Sequence, residues 1–259
     1  MTVIYRLEGN IAVVTLNDPT RHNAMSRAMV VGMNQALDRA DNEGARGIVI
    51  GSVGPSFCAG ANIDDLRSGW MEGRDTQTDP VRFFQRLATD RRPTIAAVQG
   101  IAAGGGLELT LACDLVVAGP LATFVAPELG HGVVPPFGVA ALLGTVGQHR
   151  ALDLILTRRR VAVEEALRIG LATQRSEGDD VIAEAIIRAE EIVGRVPPGA
   201  LAVVKRCAQF HLGLDWERIF ACSAEVPQDE WKEGLDAFVE KRRPNFERFW
   251  SQMGKNAQR

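Results

Sequence analysis

The chain has no surplus of basic residues. Lysine and arginine number 29 against 32 aspartates and glutamates, for a formal net charge of −3 and a pI near 5.9. That balance excludes the general basic footprint of a nucleic-acid binder, so no nucleic-acid partner is expected. Arg158-Arg159-Arg160 and Lys241-Arg242-Arg243 are local clusters that read either as solvated faces or as anion contacts. No apolar run approaches the roughly 20 residues of a membrane span, so no membrane partner is expected. The first residues, Met1 to Arg6, lack the charged start and apolar block of a secretory signal. Cysteine is scarce. The four present (Cys58, Cys113, Cys207, Cys222) have no CxxC spacing and read as reduced thiols in a cytoplasmic protein, with Cys58 and Cys113 as small core residues.

Some familiar ligand signatures are also missing. The glycine run Gly104-Gly105-Gly106 lacks the Lys-Ser/Thr of a phosphate loop and the spacing of a dinucleotide fingerprint. Glu128-x-x-His131 occurs once, in a Gly/Pro-rich segment, whereas di-metal bundles use two such motifs plus further acids. Neither a metal nor a separate cofactor is expected.

What is present is a hydrophobic content of 46% over 259 residues, enough for a large core in one large domain or two small ones. Ile4–Leu7 and Ile11–Leu16 flank the turn Glu8-Gly9-Asn10 as a hairpin. Ser26 to about Asn42 has helical spacing, with Met29, Met33, Ala36, Leu37 and Ala40 on one face. Gly47–Gly51 reads as a buried strand, residues 67–80 as a loop, and Pro80 to about Ala88 as a helix. Strand, loop, helix and strand recur around residues 94–118, and this alternation argues for an α/β layered core. The tail segments Ala200–His211, Trp216–Glu225 and Gln228–Lys241 read as helices.

Three stretches carry the chemistry. In the first, Gly104-Gly105-Gly106 opens a helix between two apolar runs. Its first-turn N–H groups have no internal partner and aim at something negative or becoming negative. Glu108 follows among Leu107, Leu109 and Leu111, where a carboxylate is costly unless used or paired. In the second, Phe57-Cys58-Ala59-Gly60-Ala61-Asn62-Ile63, small residues expose backbone and Asn62 caps a short helix through Leu66. In the third, Glu128 stands twenty residues after Glu108, again among small and apolar neighbours.

Taken together and in order, these stretches, with Cys113-Asp114, Phe124…Pro127-Glu128 and the C-terminal run Glu233 to Pro244, resemble the crotonase superfamily, the enoyl-CoA hydratase/isomerase family. The resemblance spans nearly the whole chain, from the first hairpin and Arg21-His22-Asn23-Ala24-Met25 onward. It implies a crotonase-like spiral of ββα units over residues 1–196 and a C-terminal helical trimerisation segment over 197–259, giving a homotrimer or hexamer. It implies an acyl-CoA substrate, with coenzyme A part of the substrate and no further cofactor. By residue matching, Glu108 and Glu128 are the acid/base pair, and the backbone N–H groups of Ala61 and Gly105 form an oxyanion hole. Arg21, Asn23, Ala59, Asn62, Ile63, Gly104, Pro127, Pro136, Phe137, Phe238 and Lys241 are implied substrate contacts. Phe238 and Lys241 would reach the coenzyme A of a neighbouring subunit.

Two glutamates favour hydration or its reverse. Two departures qualify that. Asn62 replaces the usual aspartate but still caps a helix. Pro135-Pro136-Phe137-Gly138-Val139 replaces Pro-Gly-Ala-Gly-Gly, so position 136 has no N–H for the catalytic water and Phe137 adds bulk near the acyl end. The alternatives left open are double-bond isomerisation or another acyl-CoA reaction, and a non-catalytic acyl-CoA-binding protein that keeps the fold.

Overall fold

The computed structural model describes residues 1–70, 77–212, 215–217 and 228–246. The expected helix Trp216–Glu225 falls mostly outside them, as does Cys222. The chain opens with the hairpin β1 (Val3–Glu8) and β2 (Ile11–Leu16), then α1 (Arg27–Asn42). Next come β3 (Gly47–Ser52), β4 (Ser56–Cys58), α2 (Ile63–Arg67) and α3 (Pro80–Ala88). The middle holds β5 (Thr94–Val98), β6 (Ile101–Ala103), α4 (Gly105–Leu111), β7 (Leu115–Ala118) and β8 (Thr123–Val125). After a 3-10 turn at Glu128–His131 come α5 (Pro136–Val146), α6 (Gln148–Thr157), β9 (Val161–Ala162) and α7 (Val163–Ile169). The chain continues with β10 (Gln174–Arg175), α8 (Val181–Arg195), α9 (Pro198–Leu212) and α10 (Gln228–Val239).

The strands form two sheets, ordered β1-β2-β3-β5-β7-β10 and β4-β6-β8-β9. Each of the pairs β3/β4, β5/β6 and β7/β8 gives its first strand to the larger sheet and its second to the smaller. The chain therefore winds as a spiral of paired strands and helices, the α/β architecture expected. From β2 to β7 the larger sheet is parallel, and its central strands are buried on both faces, as parallel strands under helices are. Side chains alternate with the period of two. Ile11, Val13, Val49, Ile95, Ala97 and Val117 face α8, which answers with Val181, Ala185, Ile186 and Ala189. Their neighbours Ala12, Val14, Ile48, Ile50, Ala96 and Val98 face the main core, with Met29, Met33 and Leu37 of α1. The region from 147 to 196, unread from the sequence, supplies this outer cover.

The C-terminal helices fold back onto the core: α9 packs on α5, and α10 on the 3-10 turn at Glu128–His131. Lys205 of α9 is buried and bonds Asp114 at 2.7 Å and the Arg92 carbonyl at 2.6 Å. No described helix is long and apolar enough to cross a membrane.

One close approach sets where α4 lies. A Cβ on Gly106 would strike the Cys58 carbonyl oxygen, so glycine lets α4 rest directly on β4. Gly106→Ala should lower stability by about 1–3 kcal/mol, the range for overpacking, and lower activity with it. Thermal melting and turnover on the same preparation check this, and an unchanged melting temperature would show that α4 can shift freely.

Candidate active site

Gly104 caps α4 at φ 53°, a left-handed backbone angle that favours glycine. A Cβ there would stand 3.2 Å from Oε1 of Glu128, so its absence leaves the carboxylate room beside the helix start. Gly105 follows; a Cβ there would meet Met25 Sδ at 3.7 Å and the Ala61 nitrogen at 3.8 Å. Ala61 sits in an isolated parallel bridge with Met25. That bridge is made by its flanks: Met25 N–H donates to the Gly60 carbonyl at 2.7 Å, and Asn62 N–H donates to the Met25 carbonyl at 2.8 Å. The N–H groups of Ala61 and Gly105 have no acceptor among the described residues.

The two glutamates approach from different elements. Glu108, on the first turn of α4, is buried, and its Oε1 accepts the Gly138 N–H from the first turn of α5 at 2.9 Å. Glu128 begins the 3-10 turn, and its Oε2 is fully buried with no partner among the described residues. Burial pushes both carboxyls well above the usual carboxylate range. The Glu128 charge raises Glu108 further, and the Gly138 N–H opposes that rise. Two desolvated carboxyls that feel each other's charge favour the protonated form at pH values where free glutamate is ionised. Such a pair offers an acid and a base at one place.

The remaining sequence-derived residues fall into two groups. Arg21 is exposed, with a loose 3.9 Å pairing to Asp18 that leaves it open to an anion. Ala59 is exposed, and Asn62 and Ile63 are half-buried at the start of α2, where Asn62 Oδ1 accepts the Asp65 N–H at 3.1 Å. Pro127 precedes the 3-10 turn, and Pro136 is the first residue of α5, where a missing N–H does no harm to the helix. Phe238 lies edge-on to His131 of its own chain, 5.0 Å between ring centres, and Lys241 is exposed just past α10 at φ 52°. His131 faces this ring. Burial, then Arg158, lowers its pKa.

Asn23 requires a correction. Its side chain is fully buried, and its amide is already engaged by backbone groups on both ends, so it offers a substrate no free polar group. Its Oδ1 accepts the Asp18 N–H at 2.7 Å, and its Nδ2 donates to the carbonyls of Val53 and Ser56 at 2.9 and 2.8 Å. It and His22 both hold left-handed backbone angles, φ 54° and 53°, which cost energy in non-glycine residues. The amide staples this strained turn to the loop before β4 and so sets Met25 against Ala61. Phe137 is also fully buried, stacked between Phe84 and Trp216. Sequence reasoning missed the Gly138 donor. The signal available was Pro135-Pro136, which marks a helix start whose third N–H is unpaired.

A wound stack of strand pairs, with two buried carboxylates beside two uncommitted N–H groups, defines a crotonase-type scaffold. The profile of the enoyl-CoA hydratase/isomerase family matches residues 6–249, and the chain belongs to that family. It is 35% identical over 253 residues to a probable enoyl-CoA hydratase of Rhizobium meliloti, covering 95% of this chain and 97% of that one. It is 33% identical over 250 residues to the short-chain-enoyl-CoA hydratase of Clostridium acetobutylicum, covering 93% and 95%. Among solved structures, a carnitinyl-CoA hydratase of Mycobacterium avium superposes with a TM-score of 0.81 at 31% identity, covering 94% of this chain and 97% of that one.

The raised carboxyl pKa values carry a stability consequence. The folded state keeps protons that the unfolded chain releases in the ordinary carboxylate range. The associated stability is complete below that range and is lost as pH rises through the raised values. Glu128→Gln should therefore stabilise the fold at pH 8, by an amount on the order of 1–3 kcal/mol, and do little at pH 4. Melting curves across that range check it, and a wild-type-like pH dependence in the variant would contradict it.

Proposed function

We propose that this chain is an enoyl-CoA hydratase, or a dehydratase in the reverse direction, acting on the 2,3 double bond of an acyl-CoA thioester. The observation that carries the reading is the buried Glu108–Glu128 pair, whose carboxyl pKa values burial raises, beside the Ala61 and Gly105 N–H groups. One carboxylate takes a proton from water as the oxygen bonds to C3. The π electrons move toward the thioester oxygen, and a carboxylic acid delivers a proton to C2. Ala61 and Gly105 N–H would donate to the oxygen as it gains charge. Such donors act on the transition state more than on the substrate, and loss of one typically costs about 2.7–4 kcal/mol. The Gly138 N–H holds Glu108 in place through this cycle. Coenzyme A enters as part of the substrate and no other cofactor is needed.

Pro136 favours a second reading. It gives α5 no N–H at the position where a water would be held, which suits double-bond isomerisation. One assay separates the two. Hydration removes the conjugated thioester absorbance of crotonyl-CoA, whereas isomerisation of a 3-enoyl-CoA creates it. Glu108→Gln and Glu128→Gln should each lower turnover by about 10²–10⁴-fold while acyl-CoA still binds. Near-normal turnover in either variant would end the two-carboxylate mechanism.

Assembly as a homotrimer or hexamer belongs to the same proposal, as does a cytoplasmic location, supported by the free thiols of Cys58, Cys113 and Cys207. Val203 and Val204 of α9 and Leu152 and Leu156 of α6 expose apolar side chains that a neighbouring subunit would cover. Light scattering at micromolar concentration should give three or six chain masses; a single chain mass would refute it.

A further inference from the structure

Phe137 lies one residue before Gly138, whose N–H holds Glu108, and its ring is 1% exposed. The ring stacks on Phe84 of α3, 5.5 Å between centres with planes 26° apart, and on Trp216, 5.3 Å and 14°. Three flat side chains from three separate segments thus stand face to face. Beyond Phe137 lies a cavity of about 420 Å³, within the size range of small-molecule pockets. Thr110 and Leu111 of α4, Ala141 of α5, and Leu201 and Lys205 of α9 help line it. Of the residues assigned to the site, only Phe137 borders this cavity. The Lys205 ammonium there is held by Asp114 and the Arg92 carbonyl, so the cavity suits hydrocarbon better than an anion.

We propose that the Phe84–Phe137–Trp216 stack is the end wall of the acyl site, restricting the enzyme to short acyl groups, and that the cavity behind Phe137 is the space a longer chain enters once the wall is opened. This rests on the acyl-CoA reading above and names the substrate class within it. The wall is specific because close-packed rings do not yield by small shifts. Each ring is braced by the next, so Phe84 and Trp216 determine chain length without touching the substrate.

The test is a ladder of unreactive thioesters, butyryl-CoA to octanoyl-CoA, measured by calorimetry, beside kcat/KM for crotonyl-CoA and 2-octenoyl-CoA. Wild type should bind octanoyl-CoA at least about tenfold more weakly than butyryl-CoA, since size misfit in a hydrophobic pocket costs about 10–200-fold. Phe137→Ala, and Phe137→Leu to a lesser degree, should close most of that gap. Adding Ala141→Phe to Phe137→Ala refills the cavity and should reopen it. Trp216→Ala carries the same comparison should Phe137→Ala fail to fold. A flat ladder in wild type, an unchanged gap in the Phe137 variants, or a gain that survives Ala141→Phe would each overturn the wall. Absent crotonyl-CoA turnover with the binding ladder as stated would instead refute hydration and leave the wall standing.

Discussion

The packing around α4, α5 and the 3-10 turn accommodates two carboxyls held out of water. An isolated buried charge costs several kcal/mol, against a typical net stability of about 5–15 kcal/mol. The protein limits that cost chemically, by letting the pair keep protons, and locally, by giving Glu108 one N–H from α5. Glu128 Oε2 is buried with no partner among the described residues. The surrounding core fixes where that atom stands.

Rigidity at the pair comes from close backbone packing more than from side-chain interlocking. Gly106 lets α4 touch β4, and Gly104 lets α4 meet the Glu128 carboxyl. On the far side of the 3-10 turn, a Cβ on Gly132 would strike the Glu230 carbonyl, and one on Gly234 would strike the His131 carbonyl. The turn carrying Glu128 is therefore gripped between α4 and α10. The C-terminal helix thus helps to fix where Glu128 stands in its own chain.

Much of this was legible in the residues. The hairpin, α1, the strands around 48–50 and 94–98, and the helix opened by Gly104 follow from period, turn glycines and caps, which are local signals. Glu108 and Glu128 stood out because charge among leucines and alanines needs a reason. Asn23 was legible as important but misread, because a polar residue in a polar loop gives no hint that its amide will be sealed under Val53 and Ser56. The stack of Phe84, Phe137 and Trp216 was hidden for a related cause. Contacts between segments more than fifty residues apart leave no periodic trace, and Phe137 alone read only as added bulk. The cover that α8 lays over the sheet went unread because nothing in the chemistry drew attention to residues 147–196.

The bridge between Met25 and Ala61 has a consequence of arithmetic. In a parallel bridge the residue at the centre is bonded through its two neighbours, so its own N–H faces away from the partner strand. Gly60 and Asn62 supply those bonds here, and the Ala61 N–H is left out of the bridge, its nitrogen 3.8 Å from where a Cβ on Gly105 would stand. Sliding the segment from Arg21 to Met25 by one residue would exchange the roles. Gly60 or Asn62 would then face inward, and Ala61 would be consumed in the bridge. The site is thus tuned by counting as much as by chemistry: gaining or losing a single residue in this short segment would change which N–H the bridge leaves out.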